Sequence, residues 1–324
     1  MNSILFIILI AAAALAAICA GTGAFFHDTA LSRKVYLRSQ KVISSEEYQQ
    51  WFKTHTFNYE GVMWFRGRSP AGTRIRSGRN ETLHACVIPA PARSDRWVIC
   101  LHGYTGSPET MGPFGQKFFD RGFNSLYPSL GGHAESEHRS ISMGWHDRLD
   151  IVDWCNYIAT LNPNAEIVLF GISMGAAAAM MASGEKLPAA VRCVVEDCGF
   201  SSVWDQFSIQ IKPVFKLPVF PFLYAAQFYS VLADGFNFKK ASCVDQVRKS
   251  VTPTLFIHGD LDDLIPRRMC KELYQAASCE KEILIIKGAK HAESANVCPD
   301  IYWSRIMRFV FKHVRQPDRP PALH

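Results

Sequence analysis

The pentapeptide Gly-Ile-Ser-Met-Gly occupies residues 171–175, between an apolar run that predicts a strand and an alanine-rich run that predicts a helix. A serine at such a strand-to-helix turn projects its hydroxyl above the end of a sheet, and the two glycines let strand and helix approach closely. A serine hydroxyl becomes a good nucleophile when a neighbouring base takes its proton. Ser173 is therefore predicted to be the nucleophile of an acyl-transfer reaction.

The base is expected to be a histidine that follows the nucleophile in the chain. The histidines downstream of Ser173 are His258, His291, His313 and His324. His258 precedes the acidic candidates, His313 lies in a terminal amphipathic segment, and His324 ends the sequence. His291 follows an apolar run with strand character and lies in a loop. Because a base at the carboxyl edge of a sheet belongs in such a loop, His291 is predicted to be the base.

The imidazole needs a carboxylate that fixes its tautomer and orientation. Three candidates follow the strand predicted to end near His258, namely Asp260, Asp262 and Asp263. Aspartates at such a place also serve as turn and helix-capping residues. The spacing alone does not separate the three.

Acyl transfer also needs hydrogen-bond donors for the oxyanion that develops on the attacked carbonyl. The backbone N–H of Met174, directly after the serine, is one expected donor. The second is expected from the loop after an earlier strand, where an apolar run ends in a His-Gly-Tyr sequence. We predict the N–H of Tyr104 as this donor. His102 precedes the nucleophile and is predicted to be a structural loop residue.

Short apolar runs with β character alternate with helical stretches from about residue 82 onward. The runs cover residues 83–88, 97–101, 123–127, 167–170, 191–195, 254–258 and 283–286, and helical spacing is clear at 145–159. This alternation predicts an α/β fold with a mostly parallel central sheet flanked by helices. We assign the sheet and its helices to residues 81–316, a linker or N-terminal extension to 27–80, and a flexible tail to 317–324.

One interval, about residues 201–251, interrupts the alternation. It is rich in aromatic residues and carries three prolines, Pro213, Pro218 and Pro221. We predict an insertion of short helices that forms a cap over the carboxyl edge of the sheet. Its rings either pack the cap onto the body or line an apolar substrate pocket, and the two roles are compatible.

The N-terminal segment is apolar without interruption from residue 4 to residue 20, and its first charge is Asp28. A helix up to Phe26 is long enough to cross a hydrocarbon core of about 30 Å. We therefore predict a transmembrane anchor over residues 1–26. A cleavable signal peptide and a lipoprotein at Cys19 are the alternatives, and the absence of a positive n-region disfavours the first.

The basic residues that follow this segment bear on the orientation of the anchor. Arg33, Lys34, Arg38 and Lys41 come after the helix, and neither lysine nor arginine precedes it. The positive-inside rule then favours a cell-membrane protein whose catalytic domain faces the cytoplasm.

Composition and charge exclude several classes of function. The net charge is +6, and the chain has no recurring basic stripe with interleaved aromatics, so a nucleic-acid partner is not expected. The arginine-rich stretch at 66–79 is either a solvated loop or edge hairpin, or a contact for anionic lipid headgroups. The ten cysteines form no CxxC pair, and Cys100, Cys193 and Cys198 are predicted to be small buried hydrophobes. With no HExxH sequence either, we expect neither a metal nor a cofactor.

Several segments together resemble the α/β-hydrolase superfamily and, more narrowly, the bacterial membrane-anchored hydrolases of the serine-aminopeptidase-like (Bem46-like) group. The resemblance covers roughly residues 82–313. The segments that carry it are His102–Glu109, Met143–Arg148, Gly171–Gly175, Glu196–Phe200, His258–Asp263 and His291–Ser294. In this group the acid is the fourth residue after the histidine of the His-Gly motif, which implies Asp262 here. The sequence Gly-Gly-His-Ala at 131–134 departs from the Arg-Gly-His-Gly that relatives often carry, which affects substrate details.

The resemblance implies a serine hydrolase that cleaves an ester, thioester or amide bond through an acyl-enzyme. The apolar cap favours a carboxylic ester with an apolar acyl group. The alternatives are an aminopeptidase-like peptidase and a non-catalytic binding protein of the same fold. A dedicated aminopeptidase needs acidic residues for the substrate's α-ammonium group, and only Asp205 and Asp234 stand out in the cap. The sequence does not indicate an oligomeric state.

Overall fold

A sheet of eight strands forms the centre of the computed structural model, which describes residues 2–315 apart from the side chains of 2–4, 11–12 and 14–16. The predicted tail at 317–324 lies outside the described residues. The strands are β1 Ala71–Arg76, β2 Thr82–Ile88, β3 Arg96–Leu101, β4 Asn124–Pro128, β5 Glu166–Ile172, β6 Val191–Asp197, β7 Thr254–Gly259 and β8 Lys281–Ile286. Their order is β1-β2-β4-β3-β5-β6-β7-β8. Strand β2 is antiparallel to both neighbours and the remaining pairs are parallel, so the predicted mostly parallel sheet is confirmed.

Helices follow most strands and cover both faces of the sheet. They are α1 Asn2–Phe26, α2 Arg33–Ile43, α3 Glu46–Lys53, α4 Thr56–Gly67, α5 Gly112–Phe119, α6 Asp147–Leu161, α7 Met174–Ser183, α8 Val203–Phe215, α9 Val219–Asp234, α10 Cys243–Lys249, α11 Arg268–Ala276, α12 Ser294–Val297 and α13 Pro299–His313, with a π-helical turn at His27–Leu31 and a 3₁₀ turn at Pro108–Met111. Serine side chains cap the beginnings of three helices, and at α3 the hydroxyl of Ser45 accepts a hydrogen bond from the Tyr48 N–H. The hydroxyl of Ser202 accepts a hydrogen bond from the Asp205 N–H, and that of Ser242 accepts one from the Asp245 N–H.

Two apolar layers, one on each face of the sheet, form the core. Successive residues of β3 contribute to opposite layers because side chains alternate along a strand. Ile99 and Leu101 pack with α6 and α7, whereas Val98 and Cys100 pack with α5 and α13. Cys100 is fully buried and unpaired, as are the other two cysteines predicted to be small hydrophobes, Cys193 and Cys198. That prediction is confirmed.

The arginine-rich stretch contains the edge strand of the sheet. β1 pairs with β2 in an antiparallel hairpin that aligns Arg76 with Thr82. Its residues are largely exposed, which suits charged side chains at a sheet edge. The edge-hairpin alternative therefore describes this segment, and contact with anionic lipid stays a prediction.

Residues 27–80 pack onto the body of the domain. Leu31 is fully buried and its carbonyl accepts a hydrogen bond from the Ile141 N–H. Helix α4 crosses α5 so closely that a Cβ on Gly61 would lie 2.3 Å from the Cα of Pro113. This segment is therefore held against the sheet and its helices along much of its length.

The apolar N-terminal segment forms the predicted helix, α1. Its side chains from Leu5 to Ile10 are more than half exposed, whereas Gly23 and Phe26 are buried against the rest of the chain. Among the residues that the structure describes, no helix meets the criteria of length and apolar character for crossing a bilayer. Membrane spanning by this segment stays a prediction.

The interval 201–251 folds into three helices, as the aromatic insertion predicted. α8 and α9 lie between β6 and β7 in the chain, and α10 returns to pack on α7. The rings of Phe207, Phe236 and Phe238 are buried, and Phe238 contacts each of the other two edge-on. Part of the aromatic content therefore packs the cap onto the body.

Replacement of Leu31 by alanine is expected to lower the free energy of unfolding by about 2–5 kcal/mol, because a fully buried leucine leaves a cavity. The matched control is Leu37→Ala on α2, since Leu37 is 49% exposed and should change stability little. Urea unfolding of the full chain in detergent measures both. Equal effects of the two substitutions would mean that the segment does not fold together with the body.

Candidate active site

Ser173 occupies a strained turn between β5 and α7. Its φ of 55° and ψ of −116° lie in a region that non-glycine residues rarely adopt. The flanking glycines leave no alternative, since a Cβ on Gly171 would lie 2.3 Å from the Gly175 carbonyl oxygen. A Cβ on Gly175 would lie 2.0 Å from the carbonyl oxygen of Leu101. The turn is therefore the tight strand-to-helix connection that the pentapeptide predicts.

The structure brings Ser173, His291 and Asp262 together at the carboxyl edge of the sheet. The Ser173 hydroxyl lies 2.9 Å from Nε2 of His291, and Nδ1 of His291 lies 2.8 Å from Oδ2 of Asp262. With Nδ1 protonated, the ring donates to the carboxylate and its Nε2 accepts from the serine. His291 follows β8 in a loop, and its neighbour Ala292 has a φ of 59°. The arrangement can move a proton from serine to imidazole.

The carboxylate of Asp262 is buried and held by several donors. Its Oδ1 accepts hydrogen bonds from the N–H groups of Leu264 and Ile265, at 3.0 and 2.8 Å. Nε2 of His258, which donates to the Ile265 carbonyl, lies 3.3 Å from Oδ2. Burial alone would raise the pKa of Asp262, but hydrogen bonds from His258 and His291 hold it well below its usual range. The group facing the imidazole is thus a stable carboxylate.

The two other aspartates of this loop have different surroundings. Oδ1 of Asp260 accepts a hydrogen bond from the Gly288 N–H at 2.6 Å and so ties together the loops after β7 and β8. Asp263 is exposed. Within the described part of the chain, the carboxylate bonded to His291 is that of Asp262. The spacing of the three could not have distinguished them.

The loop expected to supply an oxyanion donor lies beside the serine. A Cβ on Gly103 would be 3.6 Å from the Cβ of Ser173, so the chain passes close to the hydroxyl just before Tyr104. Both Tyr104 and Met174 line the cavity above the serine. Both residues therefore lie near the Ser173 hydroxyl, and their role as oxyanion donors stays a prediction that is taken up below.

Two buried histidines brace this loop from behind. Nε2 of His102 accepts from the Leu130 N–H, and Nε2 of His133 accepts from the Thr105 N–H. Burial lowers the pKa of His102 to about 3 and that of His133 to about 4, so both rings are neutral acceptors near neutral pH. His102 thus has the structural surroundings expected from its position, and His133 shares them.

Some supporting residues could not be assigned from the sequence. Asp147, in the segment Met143–Arg148, accepts a hydrogen bond from the Gly131 N–H at 2.6 Å and so holds the Gly-Gly-His loop.

Asp197, at the end of β6, accepts hydrogen bonds from the Ser294 and Tyr302 hydroxyls. Its own carbonyl accepts from the Ser173 N–H. The sequence motifs indicate that these segments belong to the site, but they do not predict the hydrogen-bond partner of each side chain.

An apolar cavity of about 230 Å³ lies over the Ser173 hydroxyl. Its walls come from the cap, from the loop after β7 and, unexpectedly, from the N-terminal segment. Residues that line it include Phe26, Phe200, Phe207, Ile211, Phe215 and Leu264. Phe26 ends α1, and its ring contacts Phe207 and Phe215 at centroid distances of 5.3 and 5.2 Å. The cap rings therefore have both of the roles considered for them.

Two groups of side chains in the described residues have ligand atoms close enough for a metal ion. The first group is Cys198, Asp262 and His291. Burial holds the pKa of the Cys198 thiol well above its usual value, and Asp262 and His291 are hydrogen-bonded to each other.

The second group is Glu81, His138 and Asp150, and the carboxylate of Asp150 is paired with Arg79 at 2.7 Å. Neither group offers a free set of metal ligands.

Comparison with known proteins agrees with this geometry. The family model described as alpha/beta hydrolase fold matches residues 96–218, which include Ser173. The chain therefore has the α/β-hydrolase fold. It is 26% identical over 226 residues to the uncharacterized protein YqkD of Bacillus subtilis, covering 68% of this chain and 73% of that protein.

Solved structures share the fold of this α/β-hydrolase. The esterase Pf2001 of Pyrococcus furiosus superposes with a TM-score of 0.63 at 22% identity, covering 76% of this chain and 93% of the esterase. The acylaminoacyl peptidase of Pyrococcus horikoshii superposes with a TM-score of 0.58 at 19% identity, covering 78% of this chain and 42% of the peptidase. The family match and these two kinds of neighbour are consistent with a hydrolase enzyme.

A second buried acid of this α/β-hydrolase should make its stability depend on pH. Oε2 of Glu196 accepts from the Gly199 N–H, and Oε1 has no hydrogen-bond partner within residues 2–315. Burial raises the pKa of Glu196 to about 8. Between an ordinary pKa of about 4.3 and this value, the folded state holds a proton that the unfolded state has lost. Stability therefore falls as pH rises through this range.

The Glu196→Gln variant is expected to lose this part of the pH dependence. The pKa of the neighbouring Asp197 is raised only to about 6, so the contribution of Glu196 is read from the difference between the wild-type and variant profiles from about pH 6 to about pH 8. Urea unfolding at several pH values measures the slope, with Glu272→Gln on the exposed face of α11 as the control. Parallel pH profiles for the wild-type protein and Glu196→Gln would contradict the assignment.

Proposed function

We propose that this α/β-hydrolase is a serine hydrolase that cleaves a carboxylic ester with an apolar acyl group through an acyl-enzyme. The observation that carries the proposal is the continuous hydrogen-bonded series from the Ser173 hydroxyl through His291 to Asp262, at the floor of an apolar cavity. Ser173 is the nucleophile, His291 the base, and Asp262 the acid that orients it. The backbone N–H groups of Tyr104 and Met174 are the proposed oxyanion donors.

The proposed reaction takes two steps. Nε2 of His291 takes the hydroxyl proton while Oγ of Ser173 forms a bond to the substrate's carbonyl carbon, and the negative charge on the carbonyl oxygen meets the two backbone donors. The C–O bond to the alcohol breaks, and His291 returns the proton to the leaving oxygen. Water then attacks the acyl-enzyme by the same route and releases the acid. Asp262 stays ionised and stabilises the imidazolium.

The lining of the cavity favours an ester over a peptide with a free α-ammonium group. Its described lining has no aspartate or glutamate. Asp205 is bonded to the Ser202 hydroxyl, and Asp234 is 2.5 Å from Nε2 of His27, so the two candidate acids of the cap already have partners. The esterase neighbour is consistent with this choice. An aminopeptidase-like activity is the second candidate, and the peptidase neighbour is the observation in its favour.

We also propose that α1 anchors the enzyme in a membrane as a single-pass helix, as in the membrane-anchored serine-aminopeptidase-like group that the sequence resembles. Asn2–Phe26 carries no charged side chain, and Leu5 to Ile10 are exposed. Lys34 and Arg38 follow the helix, and both contact the carboxylate of Asp28. Their position favours a catalytic domain on the cytoplasmic side.

The Ser173→Ala and His291→Ala variants are expected to lose activity by several orders of magnitude, because each removes a member of the proton relay. Asp262→Asn should lose about 10⁴-fold, because an amide favours the wrong imidazole tautomer. Asp260→Asn is the matched control, since an amide oxygen can still accept from Gly288. The measurements are turnover of a p-nitrophenyl ester and labelling by a fluorophosphonate probe.

Retention of probe labelling by Ser173→Ala would refute the assignment of Ser173 as the nucleophile and would indicate a nucleophile elsewhere in the chain. An inactive Asp260→Asn beside an active Asp262→Asn would refute the assignment of the acid.

The Phe26→Ala variant is expected to shift the substrate preference towards longer acyl chains, because it removes a ring from the wall of the cavity. Phe25→Ala is the matched control, since Phe25 is 56% exposed and lies outside that lining. The assay compares kcat/KM for p-nitrophenyl esters of graded length with aminoacyl p-nitroanilides, with the full chain in detergent. Faster cleavage of the anilides than of every ester would favour the peptidase.

A further inference from the structure

We infer that the cap docks on the membrane through the outer face of α9 and that the enzyme takes its acyl ester from the bilayer. This inference rests on the proposed anchor and deepens the proposed function. The face consists of Phe220, Tyr224, Phe228 and Leu232, which are 74%, 45%, 67% and 70% exposed. Tyr224, Phe228 and Leu232 are spaced by four residues along one side of the helix. Phe220 precedes the regular part of the helix, and its ring lies 5.7 Å from that of Tyr224. We call this set the α9 stripe.

The α9 stripe lies on a helix that packs against α1. The two helices pack so tightly that a Cβ on Gly23 would lie 2.5 Å from the Cβ of Tyr229 and 2.8 Å from the Ala225 carbonyl oxygen. Such small-residue contacts fix the position of one helix against its neighbour. From Gly23 to the start of α1 the helix extends roughly 30 Å, about the thickness of a hydrocarbon core. If α1 enters a bilayer, α9 lies at its surface.

The charges around the α9 stripe suit anionic headgroups. Residues 206–233 contain no aspartate or glutamate, and their only charged residues, Lys212 and Lys216, are both exposed. Beyond α9, the ammonium of Lys239 lies 4.4 Å from the ring centroid of Trp204 and 4.9 Å from that of Tyr224. Aromatic and basic side chains in this combination are typical of the boundary between hydrocarbon and headgroups.

A bilayer fits this surface better than a second copy of the chain does. A symmetric dimer through the α9 stripe would bring the same lysines together on both sides of the contact, and it would leave Leu5 to Ile10 uncovered. A single lipid leaflet covers both apolar surfaces and pairs with the lysines.

The catalytic cavity reaches the surface next to these elements. Val214, which lines the cavity near the end of α8, is 61% exposed. The next residue, Phe215, also lines the cavity, and its ring lies 6.2 Å from that of Phe25 of α1. An acyl chain in the leaflet therefore has an apolar route past α8 to Ser173, which selects lipid-soluble esters as substrates.

The first experiment measures depth in the membrane. An environment-sensitive fluorophore is attached to Phe228→Cys or to Leu161→Cys in the full chain, with unsubstituted protein as the labelling background. Leu161, at the end of α6, is an equally apolar residue, 60% exposed, outside the stripe. The proteins are reconstituted into phosphatidylcholine–phosphatidylglycerol vesicles containing spin-labelled lipid. Quenching at 228 and not at 161 is expected.

The possible results separate this inference from the proposed anchor. If the protein floats with the vesicles after an alkaline wash but the probe at 228 is not quenched, the docking of α9 is refuted and the anchor is still supported. Protein that fails to float overturns both. The third possible result is a probe at 228 that is shielded from water but not quenched by the lipid, in a protein that is a dimer in detergent. This result would refute docking on the bilayer and favour contact with a second copy of the chain.

The second experiment measures substrate supply. Phe228→Glu should raise KM for a long-chain ester embedded in the vesicles by roughly tenfold, because it disrupts apolar burial in the leaflet. It should leave hydrolysis of water-soluble p-nitrophenyl acetate unchanged, which separates docking from catalysis. Phe228→Leu should restore the wild-type KM, and Leu161→Glu should have no effect. Equal KM values for Phe228→Glu and wild type would refute the inference.

Discussion

The conformation of Ser173 is the constraint on which the site depends. Its left-handed backbone is imposed by the crossing of β5 and α7, where Gly171 and Gly175 have no room for a side chain. The same crossing presses Gly175 against the carbonyl of Leu101, the last residue of β3. A packing contact thereby fixes both the serine and the start of the loop that is proposed to hold the oxyanion. The strain is local, and the buried sheet around it supplies the rigidity that maintains it.

The charges beneath this turn are arranged so that neighbouring acids take different states. Asp262 is held ionised by the two N–H groups and the histidines around it, whereas burial keeps the proton on Glu196 near neutral pH. Oδ1 of Asp262 accepts two N–H groups and Oδ2 faces two imidazoles, whereas Glu196 accepts a single N–H. Hydrogen bonds to the charged form outweigh burial for Asp262, and burial dominates for Glu196. The donors around Asp262 therefore explain how a buried carboxylate can orient an imidazole without losing its charge.

The sequence predicts the central sheet and the approach of Ser173, His291 and the aspartates after β7 for one physical reason. Each of them follows a buried strand, and parallel strands direct their carboxyl ends to the same edge, so local pattern suffices for that much. The choice of Asp262 among the three aspartates is what the family resemblance implies. The surroundings of Leu31 and the partners of His133 depend instead on contacts with distant segments, which no local pattern records. The sequence does not distinguish strand β1 from a loop, because exposed, charged residues are common in both. Short polar elements are predictable only once their packing partner is known.

The N-terminal helix, proposed above as the membrane anchor, also contacts the cap and the cavity. Phe26 is the last residue of α1 and part of the cavity wall, while His27 directly after it contacts Asp234 at the end of α9. A helix that only tethered the enzyme would need no such contacts, and a flexible linker would serve it equally well. Because the end of α1 packs into the cap, a movement of the helix changes the shape of the cavity over Ser173. The position of α1 and the size of the cavity over Ser173 therefore depend on the same contacts.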